Sequence, residues 1–421
     1  MRFYAAALIL AVLCLIAPPS LADDAAASAD ASPLAELPHW PYGFKLPDEL
    51  IRKWDEPKGR GEAMIKSKDA HVLLWVPEGA KHIRAVFMFA NNSDLVRIGE
   101  HKTIRQVAAK HGIAIVYLQQ VGGNVIERLE PPVLAEESFQ AILDGCAQAT
   151  GIEDFKNAPW ITMGKSSRGR YPFRTTWWFP DRVIASISYH GETPTWPMPG
   201  WSKVEPDGSS VLHLNIQGLT EWDGTWYRHV RPSLLNYNTH TNWLAHQAVI
   251  YGVDHGYYTD YYIYPNWQKR MDKDHKMMRV GTVWDYIATF IDNAMTLRVP
   301  EDYAGGGPVK LRQIDRAGGY LIHPRAIEEL QGTKWFAFRQ GDNGDYQTIP
   351  WPEEVTPVYD TRQGTIDPAK LIVPAADVPE AERGGYMWVP NKAQARAWLE
   401  LHNTYNLKDR VLPPEGSDQK K

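Results

Sequence analysis

Cysteine is nearly absent from this chain: its 421 residues include two, Cys14 and Cys146. With Cys14 inside an N-terminal export-like run, Cys146 is left alone, so no disulfide framework is available and core burial must hold the fold. Cys146 falls in the apolar period of Phe139, Ile142 and Leu143, which marks it as a small buried residue rather than a thiol nucleophile. Long basic runs are missing too. The 45 Lys and Arg are outnumbered by 50 Asp and Glu, for a formal charge of -5, which argues against nucleic acid as a partner. No apolar stretch reaches the ~20 residues of a membrane span, and no stable membrane span is expected. Neither H-E-x-x-H nor paired C-x-x-C occurs, so the reading calls for no metal and no cofactor.

What is present is ample material for a packed core, with 44% hydrophobic and 23% charged residues, as in an ordinary globular protein. Residues 1–22 read as an export signal. Arg2 gives a positive start, Ala5 to Ala17 form an apolar run, and Ser20-Leu21-Ala22 fits a small-x-small cleavage site, which predicts a secreted or periplasmic protein. Residues 23–60 read as a flexible leader and an N-terminal arm without clear period. The main domain is expected over 61–299, with a C-terminal extension or small accessory domain over 300–421.

Within the main domain short β-branched and aromatic runs alternate with segments of helical period. Strands are predicted at His71–Val76, Arg84–Ala90, Ile113–Gln119, Trp160–Gly164, Val183–Tyr189, Val211–Gln217 and Gln247–Val253. Helices are predicted at Lys102–His111, Ala135–Thr150, Arg168–Phe179, Pro232–His246 and Val280–Leu297. This order predicts an α/β fold, a mainly parallel sheet with helices on both faces and ligands at the carboxyl ends of the strands. After Pro300 the rhythm breaks into Gly- and Pro-rich turns and short runs such as Trp335–Phe338, ending in a helix-like Lys392–His402. The extension is either a small β-rich domain or a wrap over the core.

The sharpest local pattern is an apolar strand entering Gly164-Lys165-Ser166-Ser167-Arg168-Gly169, followed by a helix-compatible stretch. A serine on a tight strand-to-helix turn is pushed out of the sheet, and the helix start behind it favours developing negative charge. Such a turn needs small residues flanking the serine at close range. Gly164 meets that need, but Arg168 stands where G-x-S-x-G has its second glycine, and Gly169 comes one place late. Reading Ser167 as the nucleophile restores a glycine at 169 and puts Lys165 at the earlier position.

Here the chain resembles the α/β-hydrolase superfamily over about residues 70–297. Its elbow is locally similar to those of the glucuronoyl esterase and the tannase and feruloyl esterase families. The resemblance implies a serine hydrolase acting on carboxylic esters, with the order Ser, then acid, then His. It assigns Ser166 as nucleophile, Glu221 in Gly218-Leu219-Thr220-Glu221 as the acid with Asp223 in reserve, and His255 as general base. Asp254, beside His255 on an extended segment, points to the opposite side and is not the orienting acid. It also implies an oxyanion hole from the backbone N–H of Ser167 and from the segment at Asn91 and Asn92, whose side chains also suit turns.

Arg168, Trp222 and Tyr257 are candidate substrate contacts. Seventeen tryptophans, many in the same loops, offer flat faces for sugar rings or phenolic acyl groups, and so a small-molecule or glycan-linked ester as substrate. Two other readings stay open. One is a metal-dependent hydrolase or deacetylase using His240, His246, Asp254, His255 and Asp260; the other is a non-catalytic sugar-binding or scaffold protein on the same fold.

Overall fold

The computed structural model describes residues 40–49, 71–90, 95–119, 132–169, 171–191, 211–218, 243–250, 281–323, 326, 336–340, 346–350, 370–383 and 386–401. All of them lie in one compact unit, His39–Lys421. Its centre is an eight-stranded sheet in the order β1-β2-β4-β3-β5-β6-β7-β8. The strands are β1 (Tyr42–Lys45), β2 (His71–Trp75), β3 (Ala85–Ala90), β4 (Ile113–Gln119), β5 (Trp160–Lys165), β6 (Val183–Tyr189), β7 (Leu212–Gly218) and β8 (Leu244–Ile250). The pairs β1/β2 and β2/β4 are antiparallel. The others are parallel, so strands β3 to β8 end at a common edge.

The helices are α1 (Leu95–Glu100), α2 (Lys102–His111), α3 (Pro132–Thr150), α4 (Tyr171–Trp178), α5 (Gly281–Arg298) and α6 (Lys392–Leu401). Helix α2 buries Ile104, Val107, Ala108 and His111, the i, i+3, i+4, i+7 stripe of an amphipathic helix. Gly112, at φ 67°, ends it and donates to the carbonyls of Ala108 and Ala109, a left-handed cap that glycine adopts without strain. Residues of α2 and α5 join one core layer. Phe139, Ile142, Leu143 and Cys146 of α3 form the other, with Tyr171 of α4. Helices therefore cover both faces, as the α/β alternation predicts. Burial pushes the Cys146 thiol far up from its ordinary range, and thiolate chemistry is closed to it.

Beyond Pro300 lie a three-stranded sheet ordered β12-β9-β13, from β9 (Tyr320–Ile322), β12 (Ile372–Pro374) and β13 (Met387–Val389), and a hairpin, β10 (Phe336–Gln340) with β11 (Tyr346–Pro350). Leu321, Trp388 and Trp398 of this part share the core layer with β5 to β8. The extension also covers the open edge of β8. There the Gln247 N–H donates to the Met387 sulfur at 3.3 Å, and its carbonyl accepts from Trp398 Nε1 at 2.8 Å. Outward-facing backbone groups that would template another strand are thus occupied. Buried Arg298 ties the same region down, donating to the carbonyls of Arg312, Pro180 and Val183.

Two local expectations are corrected. The segment predicted as a helix ending at His246 is strand from Leu244, so β8 begins three residues before the predicted start at Gln247. The arm thought to lack period contributes edge strand β1, paired to β2 from Tyr42↔Leu74 to Lys45↔His71.

Candidate active site

Strand β5 is buried throughout and central, between β3 and β6. At its carboxyl end the backbone turns abruptly. Lys165 is extended at φ -115°, and the next residue, Ser166, is left-handed at φ 57°. A non-glycine residue there costs on the order of 1–3 kcal/mol and persists only where its surroundings impose it. Ser166, Ser167 and Arg168 form one 3-10 turn, closed by Gly169 N–H donating to the Ser166 carbonyl at 2.8 Å.

Glycines permit this turn. A Cβ on Gly164 would fall on the backbone carbonyl of Arg168. A Cβ on Gly191, just beyond β6, would fall on the Cα of Gly169 and lie 2.8 Å from Ser188 Oγ. The late glycine now has a reason. The small residue needed after the serine is at 169 because the turn is one of 3-10 type, and its close neighbour is Gly191. At position 168 the backbone carbonyl makes the tight approach, while the Arg168 side chain stays half-buried.

Two buried side chains bond to backbone beside the turn, and neither is legible locally. The Tyr171 hydroxyl donates to the Met88 carbonyl at 2.5 Å and accepts from Met163 N–H at 3.1 Å, joining β3 to β5 beneath the elbow. Gln217 at the end of β7 donates through Nε2 to the Gly191 carbonyl at 2.5 Å and to Asn215 Oδ1 at 3.2 Å.

A central parallel strand feeding a left-handed serine, with β2 antiparallel and the order 1-2-4-3-5-6-7-8, decides the architecture. This is the α/β-hydrolase fold. Of the assigned residues, Ser166, Ser167 and Arg168 sit in the elbow turn of that fold. Asn91, Asn92, Glu221, Trp222, Asp223, His255 and Tyr257 lie outside the described residues, as do His240, Asp254 and Asp260 of the metal reading. His246 faces α5, its Nε2 2.7 Å from the buried Tyr286 hydroxyl. Among the described residues, no three His, Cys, Asp or Glu side chains are grouped to hold a metal ion.

A serine and a histidine of the sheet itself are in contact. Ser186 Oγ lies 2.5 Å from His213 Nδ1, with both residues buried in mid-strand. The imidazole stacks on Phe173, and burial holds its pKa down at about 3. It is neutral and sealed from substrate, so this pair is structural.

No protein-family model and no curated protein matches the chain. Among solved structures it is similar to a thermostable esterase (12% identity, TM-score 0.33) over 49% of this chain, spanning 54% of that protein's length. It is also similar to a CIB-like hydrolase from Thermoplasma acidophilum (17% identity, TM-score 0.32; 54% of this chain, 98% of that one). Est1E from Butyrivibrio proteoclasticus gives 10% identity and a TM-score of 0.33, with 54% of this chain and 95% of that one covered.

Proposed function

We propose that this protein is an exported serine hydrolase that cleaves carboxylic esters through an acyl-enzyme. The observation that carries the reading is Ser166 held left-handed at the carboxyl end of the central strand, against a Gly164 with no room for a side chain. Such strain gathers where a reactive side chain must be presented.

Strand spacing supports the remaining roles. In the order β5-β6-β7-β8, neighbours ~4.8 Å apart put β7 about 10 Å and β8 about 14 Å from the serine strand. Glu221 comes three residues after the last residue of β7, and His255 five after the last of β8. At up to ~3.3 Å per residue, those lengths reach about 10 and 17 Å, enough to return toward Ser166 along the common edge. Asn91 directly follows β3, the other neighbour of β5.

In the proposed reaction Ser166 Oγ attacks the ester carbonyl carbon while its proton passes to His255, whose productive tautomer Glu221 holds. The Ser167 N–H and a donor from the segment at Asn91–Asn92 receive the developing oxyanion. Collapse expels the alcohol, which takes the proton from His255. Water then repeats the sequence on the acyl-enzyme and releases the acid. Arg168, Trp222 and Tyr257 would contact the substrate, and the tryptophan-rich composition favours a carbohydrate-linked or phenolic ester. The 1–22 segment supports secretion or delivery to the periplasm.

The test is Ser166→Ala on a short p-nitrophenyl ester, with circular dichroism to verify the fold. Turnover should fall about 10³-fold or more, and fluorophosphonate labelling should disappear. Labelling that survives in Ser166→Ala and is lost in Ser167→Ala moves the nucleophile by one residue. An unlabelled, inactive parent chain points instead to a sugar-binding or scaffold role. A panel of acetylated, feruloylated and methyl-uronate glycans then identifies the ester.

A further inference from the structure

Within the elbow turn, Gly169 N–H donates to the Ser166 carbonyl and closes the loop. What presses on it from outside is Gly191, whose Cα packs on Gly169 with no space for a methyl group between them. Gly191 follows His190, which is itself left-handed at φ 49°. The last rung of the β6/β7 ladder is His190 N–H donating to the Ile216 carbonyl at 2.7 Å. Beyond that rung the Gly191 carbonyl accepts from Gln217 Nε2 on β7 at 2.5 Å. Gln217 is 1% exposed, so water does not compete for that bond.

We propose that Gln217 is a positioning residue for the nucleophile: its amide fixes Gly191, Gly191 confines Gly169, and Gly169 keeps Ser166 in its left-handed conformation. The effect on catalysis rests on the serine-hydrolase reading; the effect on the conformation of the turn does not. Buried amides in apolar-to-polar borders of a sheet often serve packing alone, so the comparison that matters is with another buried glutamine. Gln394 of α6, fully buried, accepts from Asn293 Nδ2 at 3.0 Å and lies on a helix packed against α5, β8, β9 and β13.

The experiment uses the full chain with Gln217→Met, which keeps the volume and removes the donor, beside Gln394→Met. Amide hydrogen exchange of the peptide spanning 161–170 and steady-state kinetics on a p-nitrophenyl ester are read together. In Gln217→Met, exchange at 166–169 should quicken by about tenfold. The kcat should drop by roughly 10²-fold, the scale of a small misplacement of a reacting group, with KM within about threefold. Gln394→Met should change neither. Unchanged exchange in Gln217→Met, or equal changes in both variants, overturns the proposal. Faster exchange with parental kcat in an active parent overturns its catalytic part. Faster exchange when the parent is no more active than Ser166→Ala leaves the positioning intact and defeats the hydrolase reading instead. Should Gln217→Met fail to fold, Gln217→Asn, shorter by one methylene, is read in the same way.

Discussion

The two halves of the central sheet are built on opposite terms. Following one row of register partners across a single face gives Leu74, Val116, Met88, Thr162, Ser186, His213 and Ala245. The β2-β4-β3 side of this row is hydrocarbon packed on α3. From β5 to β7 the side chains are hydroxyls and an imidazole, before the row ends at Ala245, and the next row adds Ser188, Asn215 and Gln247 beyond Gly164. All of these are buried, so the difference is not one of solvent. Apolar packing supplies most of the net stability of a domain, whereas a buried hydrogen bond adds only about 1 kcal/mol net and fixes geometry. The Ser166 turn stands on the strand where one regime gives way to the other. With Gln217 as the positioning residue proposed above, the apolar half is the platform and the polar half holds the turn in shape.

The largest departure from that division is expected at the boundary. Gly164→Ala drives a methyl group into the Arg168 carbonyl, and neither backbone can yield without opening the turn. Stability should fall by ~4 kcal/mol or more and esterase turnover by about 10³-fold, read by urea denaturation and initial rates. An active, stable Gly164→Ala would mean that the turn is not under constraint.

Leu74→Ala breaks only the platform. Leu74 is completely buried in the layer with α3, so the loss should be roughly 2–5 kcal/mol, with kcat per folded molecule unchanged. If kcat falls in step with stability, the two halves are not functionally separate.

The polar half should reveal itself through pH. His213 binds its proton at about 3 in the folded protein against an ordinary value of 6.5, because burial penalises the cation. Below pH 6.5 the unfolded chain therefore takes up a proton that the folded one refuses. The stability tied to a neutral His213 is complete above that pH and drains away as pH falls toward 3. Between pH 7 and 5 the loss from this residue is about 2 kcal/mol. His213→Gln should flatten the stability profile by that amount over this interval; an unchanged slope would show that His213 titrates normally.

How much of this was legible depended on how local the cause was. Strands such as Ile113–Gln119 and Val183–Tyr189 are legible to the residue because β-branched and apolar side chains dominate each short run, with small serines the main interruption in the second. The start of β8 was misplaced because Leu244-Ala-His246 continues a helix-like spacing, and only pairing to β7 makes it strand. Three-residue strands such as β12 and β13 are too short to show any period. At the site, the turn was visible through Gly164 and Ser166, which are neighbours in sequence. Gly191, Gln217 and Tyr171 were not, since their partners Gly169, Gly191 and Met88 come from other strands and turns, and nothing in a single run of residues announces such a meeting. The late glycine looked like a defect until Gly191 supplied its counterpart.

Tyr171 offers the finest test of the border, because one oxygen serves both sides of it. Its hydroxyl takes the Met163 N–H of the serine strand and gives its proton to the Met88 carbonyl of the apolar neighbour. Tyr171→Phe keeps the ring in the core layer and deletes that atom, leaving a buried donor and a buried acceptor facing each other without a bridge. The expected cost is about 1–2 kcal/mol, smaller than for any change above. If the bridge serves mainly as a strut for the platform, kcat stays within about twofold and only the denaturation midpoint moves. A tenfold fall in kcat with that same modest loss of stability would put Tyr171 with Gln217 among the groups that aim the serine, and the boundary of the positioning half would then lie one strand further into the hydrocarbon side than β5.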